Sequence, residues 1–116
     1  MTVFGELRET YRAKLAAAFG DGTNVTTDPG ALVPYVLVDA VTVVGSAGVG
    51  GWTGRLPIRC VVPAPGDAVA LAALETMLET VLVTLGGAPA TPETSGPTDL
   101  PAYVVTYPVE IPNPNC

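Results

Sequence analysis

Val36-Leu37-Val38-Asp39-Ala40-Val41-Thr42-Val43-Val44, the tip Gly45-Ser46-Ala47-Gly48-Val49-Gly50-Gly51-Trp52-Thr53-Gly54, and Leu56-Pro57-Ile58-Arg59-Cys60-Val61-Val62 after Arg55 decide the fold. Two apolar, β-branched runs around a glycine-rich tip predict a β-hairpin with a long, mobile arm. The tip holds no acid, base or thiol. Its one large side chain is Trp52, a residue type enriched at interfaces. With Val49, it makes the tip a docking arm rather than a passive loop. The tip lacks a Gly-Lys-Ser/Thr sequence and leads into a strand, so it does not read as a phosphate cradle.

The first strand begins at Tyr35, behind Pro34, and runs to Val44. Near-continuous apolarity predicts cover on both faces. The second strand alternates. Leu56, Ile58, Cys60 and Val62 point one way, and Arg55, Pro57, Arg59 and Val61 the other. Pro57 has no N–H, so its amide side faces an edge or a bulge.

Before the hairpin, Thr2 caps a helix starting at Val3. Phe4, Leu7, Tyr11, Leu15 and Ala18 follow helical spacing, and Glu6, Arg8, Glu9, Arg12 and Lys14 lie largely off that face. Gly20-Asp21-Gly22 ends the helix. Asn24-Val25-Thr26-Thr27 forms at most a short strand, and Asp28-Pro29-Gly30 reads as a turn. After the hairpin, Asp67 caps a second helix from Ala68 to about Leu85. Its core stripe is Leu71, Leu74, Leu78, Val81, Leu82 and Leu85, with Glu75 and Glu79 opposite. Gly86-Gly87 ends it. A short strand over residues 88–94 is broken by Pro89 and Pro92, and the last strand covers residues 100–111. Residues 112–116 form an extended tail beyond a single domain, 1–111. The order α-β-β-α-β-β predicts an α+β fold. Two helices pack on a mixed, mostly antiparallel sheet of four or five strands.

The 116 residues are 48% hydrophobic and only 14% charged. An average soluble domain is about 25% charged. So few charges leave apolar or small-residue surface for partners to cover. The net charge of −6 and the five Lys and Arg argue against nucleic-acid binding and against an anionic membrane. No apolar run approaches the length of a membrane span, and the N-terminus lacks a signal-peptide pattern. Cys60 and Cys116 make no disulfide framework, which indicates free thiols in a reducing cytoplasm.

Histidine is absent, which removes the commonest general base and zinc ligand. No metal or cofactor is expected. Cys60 reads as a core cysteine rather than a thiolate, because Arg59 points to the other face. Asp39 has two readings, a catalytic carboxylate or an ion pair with Arg55 or Arg59. The ion pair is preferred. Glu75 and Glu79, four apart, mark a solvated face or a contact to a basic partner rather than a catalytic pair.

Several segments together carry a resemblance: Met1-Thr2-Val3-Phe4-Gly5-Glu6-Leu7-Arg8, Val25-Thr26-Thr27-Asp28-Pro29, Pro34-Tyr35-Val36-Leu37-Val38-Asp39, Leu56-Pro57-Ile58-Arg59-Cys60-Val61-Val62-Pro63-Ala64-Pro65-Gly66-Asp67 and Leu100-Pro101-Ala102-Tyr103-Val104-Val105-Thr106. They span nearly the whole chain, and the chain resembles the small tail terminator proteins of long-tailed, siphovirus-type phages of actinobacteria. The resemblance implies a non-enzymatic virion protein of the tail and neck, assembled in the host cytoplasm. It implies a ring of identical subunits, a hexamer, at the head-proximal end of the tail tube. Such a ring caps the tail tube protein, stops its polymerisation and meets the head-side connector or stopper. The resemblance brings no catalytic residues. It assigns no contacts to the glycine tip or to residues 108–114.

The expected contact residues are therefore Val49 and Trp52 on the arm, Arg55 and Arg59 on the hairpin, Arg8 and Arg12 on the first helix, and Glu75 and Glu79 on the second. The rival readings are another neck or tail-tube component, a small-molecule-binding regulatory domain, and an enzyme using Cys60.

Overall fold

Thr2 starts the first helix as its sequence predicts, its Oγ1 accepting the Gly5 N–H at 3.0 Å. A computed structural model describes residues 2–20, 23–28, 34–46, 50–63, 68–95 and 100–113. Helix α1 spans Val3–Phe19 and stops at Gly20, whose φ of 70° suits glycine. Leu15 is its one fully buried residue, with Phe4, Leu7, Tyr11 and Phe19 half-buried around it. Ala18, expected on this face, is exposed. Phe19 closes the face instead, one turn beyond Leu15.

Among the described residues six strands make the sheet, against the four or five expected: β1 (Asn24–Thr26), β2 (Tyr35–Val38), β3 (Thr42–Ser46), β4 (Gly51–Val61), β5 (Ala90–Ser95) and β6 (Leu100–Pro112). They run β1-β2-β4-β6-β5, with β3 paired to β4 beyond the end of β2. Only β1 and β2 are parallel. With two helices on this mixed, mostly antiparallel sheet, the fold is α+β, as the sequence indicates.

The extra strand arises because residues 35–44 do not form one strand. Val38 pairs with Ile58 and Thr42 with Arg55, so residues 39–41 face only Pro57 and Leu56 on β4. The surplus residue is a bulge. Pro57 supplies the cause. It offers no N–H to the ladder, and its carbonyl accepts the Asp39 N–H at 3.0 Å. Hence the missing donor of a central strand falls at the bulge, one of the two places its sequence allows.

Alternation along β4 also holds. Leu56, Ile58 and Cys60 are fully buried beneath the helices, together with Val36, Val38, Val105 and Ile111. On the other face, Tyr35, Leu37, Val61 and Ala102 form a smaller buried cluster. All four residues of β2 are therefore buried, which accounts for its unbroken apolarity.

Helix α2 spans Ala68–Leu85. Leu74, Met77 and Val81 are buried, and Leu78, Leu82 and Leu85 half-buried. Leu71 was expected in the stripe but is 50% exposed, and Met77 takes up the core position. Thr76, Thr80 and Thr84 return their hydroxyls to the carbonyls four residues back, at 2.7–3.1 Å. The expectation that no apolar run reaches membrane-span length needs correction. The 18 residues of α2 have a mean hydropathy of 1.8, enough by length and composition to cross a bilayer, and only 17% are buried. Glu75 and Glu79 interrupt the run in the sequence and so hide its overall hydropathy.

Candidate assembly surfaces

Residues 45–54 are less of an arm than their glycine content suggests. Gly45 and Ser46 belong to β3, and Gly51, Trp52, Thr53 and Gly54 to β4. Trp52 pairs with both Ser46 and Ile111, and its ring stacks on Phe4 of α1 at 6.1 Å between centroids. It is half-buried against the core, so its expected place on an exposed tip is corrected. Val49 lies outside the described residues. Two glycines let the strands close here. A Cβ on Gly51, whose φ is +135°, would stand 2.0 Å from the Ile111 carbonyl oxygen. A Cβ on Gly54 would stand 2.8 Å from the Thr42 carbonyl oxygen.

The sheet face away from the helices carries both hairpin arginines. Arg55 is exposed between two shallow grooves. One, about 530 Å³, is lined by Pro89, Thr106 and Pro108. The other, about 480 Å³, is lined by Val44, Thr53, Pro108 and Glu110. Among the described residues, Arg55 makes no ion pair. Val44 joins this face through a second bulge, between Val43 and Gly45, and is 52% exposed.

Arg59 is committed within the fold. Its Nε donates to Asp39 Oδ2 at 2.8 Å, and its guanidinium also pairs with Glu93 of β5. Asp39 Oδ1 accepts the Ala40 N–H at 2.7 Å. Asp39 thus ties the bulge to β4, which agrees with its ion-pair reading, and Arg59 is its partner rather than Arg55.

On α1, Arg12 donates to the Glu9 carboxylate from Nε at 2.8 Å and from Nη2 at 2.5 Å, which holds the Glu9 carboxyl below its ordinary pKa. Arg8 is half-buried and, among the described residues, makes no ion pair. Lys14 stands 6.0 Å from the Tyr11 ring centre. On α2, Glu75 and Glu79 are exposed. Beside them Val69 is 78% and Val83 80% exposed. Their side of the helix carries acids and no base.

Cys60 lies in the core, and burial pushes its thiol up to about 12. A thiol held protonated at neutral pH is a poor nucleophile. Tyr107, also in the core, donates its hydroxyl to the Gly86 carbonyl at 2.7 Å and so fastens the end of α2 to β6. Burial raises its pKa as well.

The structure thus brings Arg55 and Arg59 onto one face and Glu75 and Glu79 onto another, with Arg8 and Arg12 on α1. Sequence reasoning missed three contributors: Val69 and Val83 on the outer side of α2, Val44 at the bulge, and Glu93 as the second partner of Arg59. The hydropathy of α2 signals the first. Nothing local signals the other two, which arise from strand pairing. No protein-family model, curated protein or solved structure matches the chain.

Proposed function

We propose that this chain is a non-enzymatic, self-assembling structural subunit that forms a ring on the head-proximal end of a phage tail tube. There it ends tube growth and joins the tail to the head-side connector. One observation supports assembly above the others. Helix α2 exposes three large apolar side chains, Val69, Leu71 and Val83, at 50–80%, around Glu75 and Glu79. Exposed apolar side chains gathered on one element suit a contact surface. In a chain with 14% charged residues, other subunits cover that surface.

The tail-tube assignment rests on the resemblance of residues 1–8, 25–29, 34–39, 56–67 and 100–106. The α+β fold is compatible with it. Ring subunits meet through unlike surfaces that close by rotation. This chain has such unlike surfaces, a helical layer and an uncovered part of the sheet. The core position of Cys60 weighs against the enzyme reading.

Gold-labelled antibody against the chain, imaged on intact virions, tests the assignment. A single label at the junction of head and tail is expected. Label repeated along the tube would make this a tube component and overturn the terminator reading.

A further inference from the structure

Strand β5 takes little part in the core. Ala90, Thr91 and Pro92 are exposed and Glu93 is half-buried. Among the described residues, no β5 residue belongs to either buried cluster. Its main neighbour is β6, through pairings that run from Ala90 with Val105 to Ser95 with Leu100. The backbone ladder and one side-chain ion pair therefore hold it.

The ladder is thin. The Pro89 carbonyl accepts the Thr106 N–H at 3.0 Å, and on the other side of β6 the Pro101 carbonyl accepts the Val62 N–H at 3.1 Å. Backbone groups alternate along a strand, so Ala102, Val104 and Thr106 turn their N–H groups to β5, while Tyr103 and Val105 turn theirs to β4. On β5, Thr91, Glu93 and Ser95 face β6, and Pro92 faces outward without an N–H.

The ion pair crosses β6. Arg59 stands level with Val104 and Glu93 level with Ala102, so the guanidinium reaches Glu93 diagonally over that strand. Asp39 holds the same guanidinium from the β2 side at 2.8 Å. Before β5 come Gly86 and Gly87, and around both there is open space. The Tyr107 hydroxyl holds the Gly86 carbonyl, so the chain is free to turn from Gly87 onward.

We propose that β5 is a strap latched over the β6 edge by Arg59, opening and closing while the rest of the sheet stays folded. Segments with few buried apolar contacts open at a small fraction of the global free energy. Closed, the strap occupies the N–H groups of Ala102, Val104 and Thr106. Farther along the same edge, Pro108 and Pro112 have no N–H, and Glu110 alone lies between them with its N–H outward. The β6 edge is thus shut by β5 over its first part and by proline over the rest, a guard against pairing with a further strand. The strap does not depend on the ring reading.

Residue-resolved amide hydrogen exchange of the full chain tests the strap, because the two sets of β6 amides alternate within one strand. The Ala102, Val104 and Thr106 amides should be at least about tenfold less protected than those of Tyr103 and Val105. Glu93→Gln should speed the first set by a further factor of about two to five and leave the second unchanged. Sodium chloride at about 1 M should move the wild type in the same direction, and it stands in if the variant does not fold. Glu75→Gln, which alters an exposed acid on α2, should change neither set. Equal protection of the two sets would mean that β5 opens only with the whole fold, and would overturn the strap. Unequal protection that neither Glu93→Gln nor salt alters would overturn the latch. Glu75→Gln acting as strongly as Glu93→Gln would also overturn it, since the effect would then belong to net charge.

Discussion

Gly51→Ala compared with Gly86→Ala separates steric closure of the hairpin from backbone preference. Both glycines have positive φ, +135° and +93°. Alanine at either site incurs a strain of roughly 1–2 kcal/mol. Around Gly86 there is open space. At Gly51 a Cβ meets the Ile111 carbonyl oxygen at 2.0 Å and the Asn113 nitrogen at 2.9 Å. Backbone is the obstacle, so β6 must move away from β4 by more than an ångström. That movement spreads the non-hydrogen-bonded Gly51–Pro112 pair and breaks the Asn113 N–H to Gly50 carbonyl bond of 3.2 Å beside it. The lost bond costs about 0.5–1.5 kcal/mol. The Trp52–Phe4 stack next to it contributes about as much. Together these give a loss of roughly 2–5 kcal/mol for Gly51→Ala against about 1–2 for Gly86→Ala. Urea unfolding followed by fluorescence reads the difference, and Trp52, the only tryptophan, reports on the site itself. Its emission should shift to the red in folded Gly51→Ala and stay unchanged in Gly86→Ala. Equal destabilisation by the two variants, with unchanged emission, would refute the close approach of β4 and β6 and the packed position of Trp52.

Cys60 links stability to alkaline pH. Its thiol, ordinarily near 9.0, stays protonated to about 12 in the folded chain, while the unfolded chain releases the proton earlier. Its contribution is therefore full below pH 9 and is lost as pH rises towards 12, with a slope of up to about 1.4 kcal/mol per pH unit. Tyr107 adds in the same direction at higher pH. Cys60→Ala should flatten the first part of that decline, and native Cys60 should resist iodoacetamide at pH 8. Rapid modification under native conditions would show the core placement to be wrong. Asp39→Ala and Glu93→Ala each remove one partner of Arg59, which is 28% exposed, so each coupling measured by double-mutant cycle should stay below about 1 kcal/mol and shrink in 1 M salt. Val69→Lys with Val83→Lys should leave the subunit's unfolding midpoint within about 0.5 kcal/mol, since both side chains already face outward, yet reduce its oligomeric mass. A large loss of stability in the isolated subunit would mean that α2 packs inside the fold on that side too.

Much of the fold is written locally. The alternation from Leu56 to Val62, the Thr2 cap and the glycine stops at Gly20 and Gly86 each act within a few residues and appear in place. Pro57 shows how far such reasoning reaches. Its missing N–H predicts an edge or a bulge, but its own neighbours do not say which of the two or which strand carries it. That strand is the β-branched run beginning at Tyr35, which looks continuous because both of its halves are sheet. Trp52 was legible as a large apolar group and not as a packed one, since its partner Phe4 comes from the start of α1. Glycine content alone predicts flexibility, whereas Gly51 and Gly54 mark close backbone approach. The basic and acidic candidates were legible by type. Their grouping, with Arg59 committed to Asp39 and Glu93 and Arg55 left exposed, follows from sheet register alone.

Negative-stain electron microscopy of the purified chain shows whether it closes into rings. Closed rings of uniform diameter, with six-fold class averages, are the predicted result. A field of single subunits at every concentration, or open filaments that never close, would contradict it.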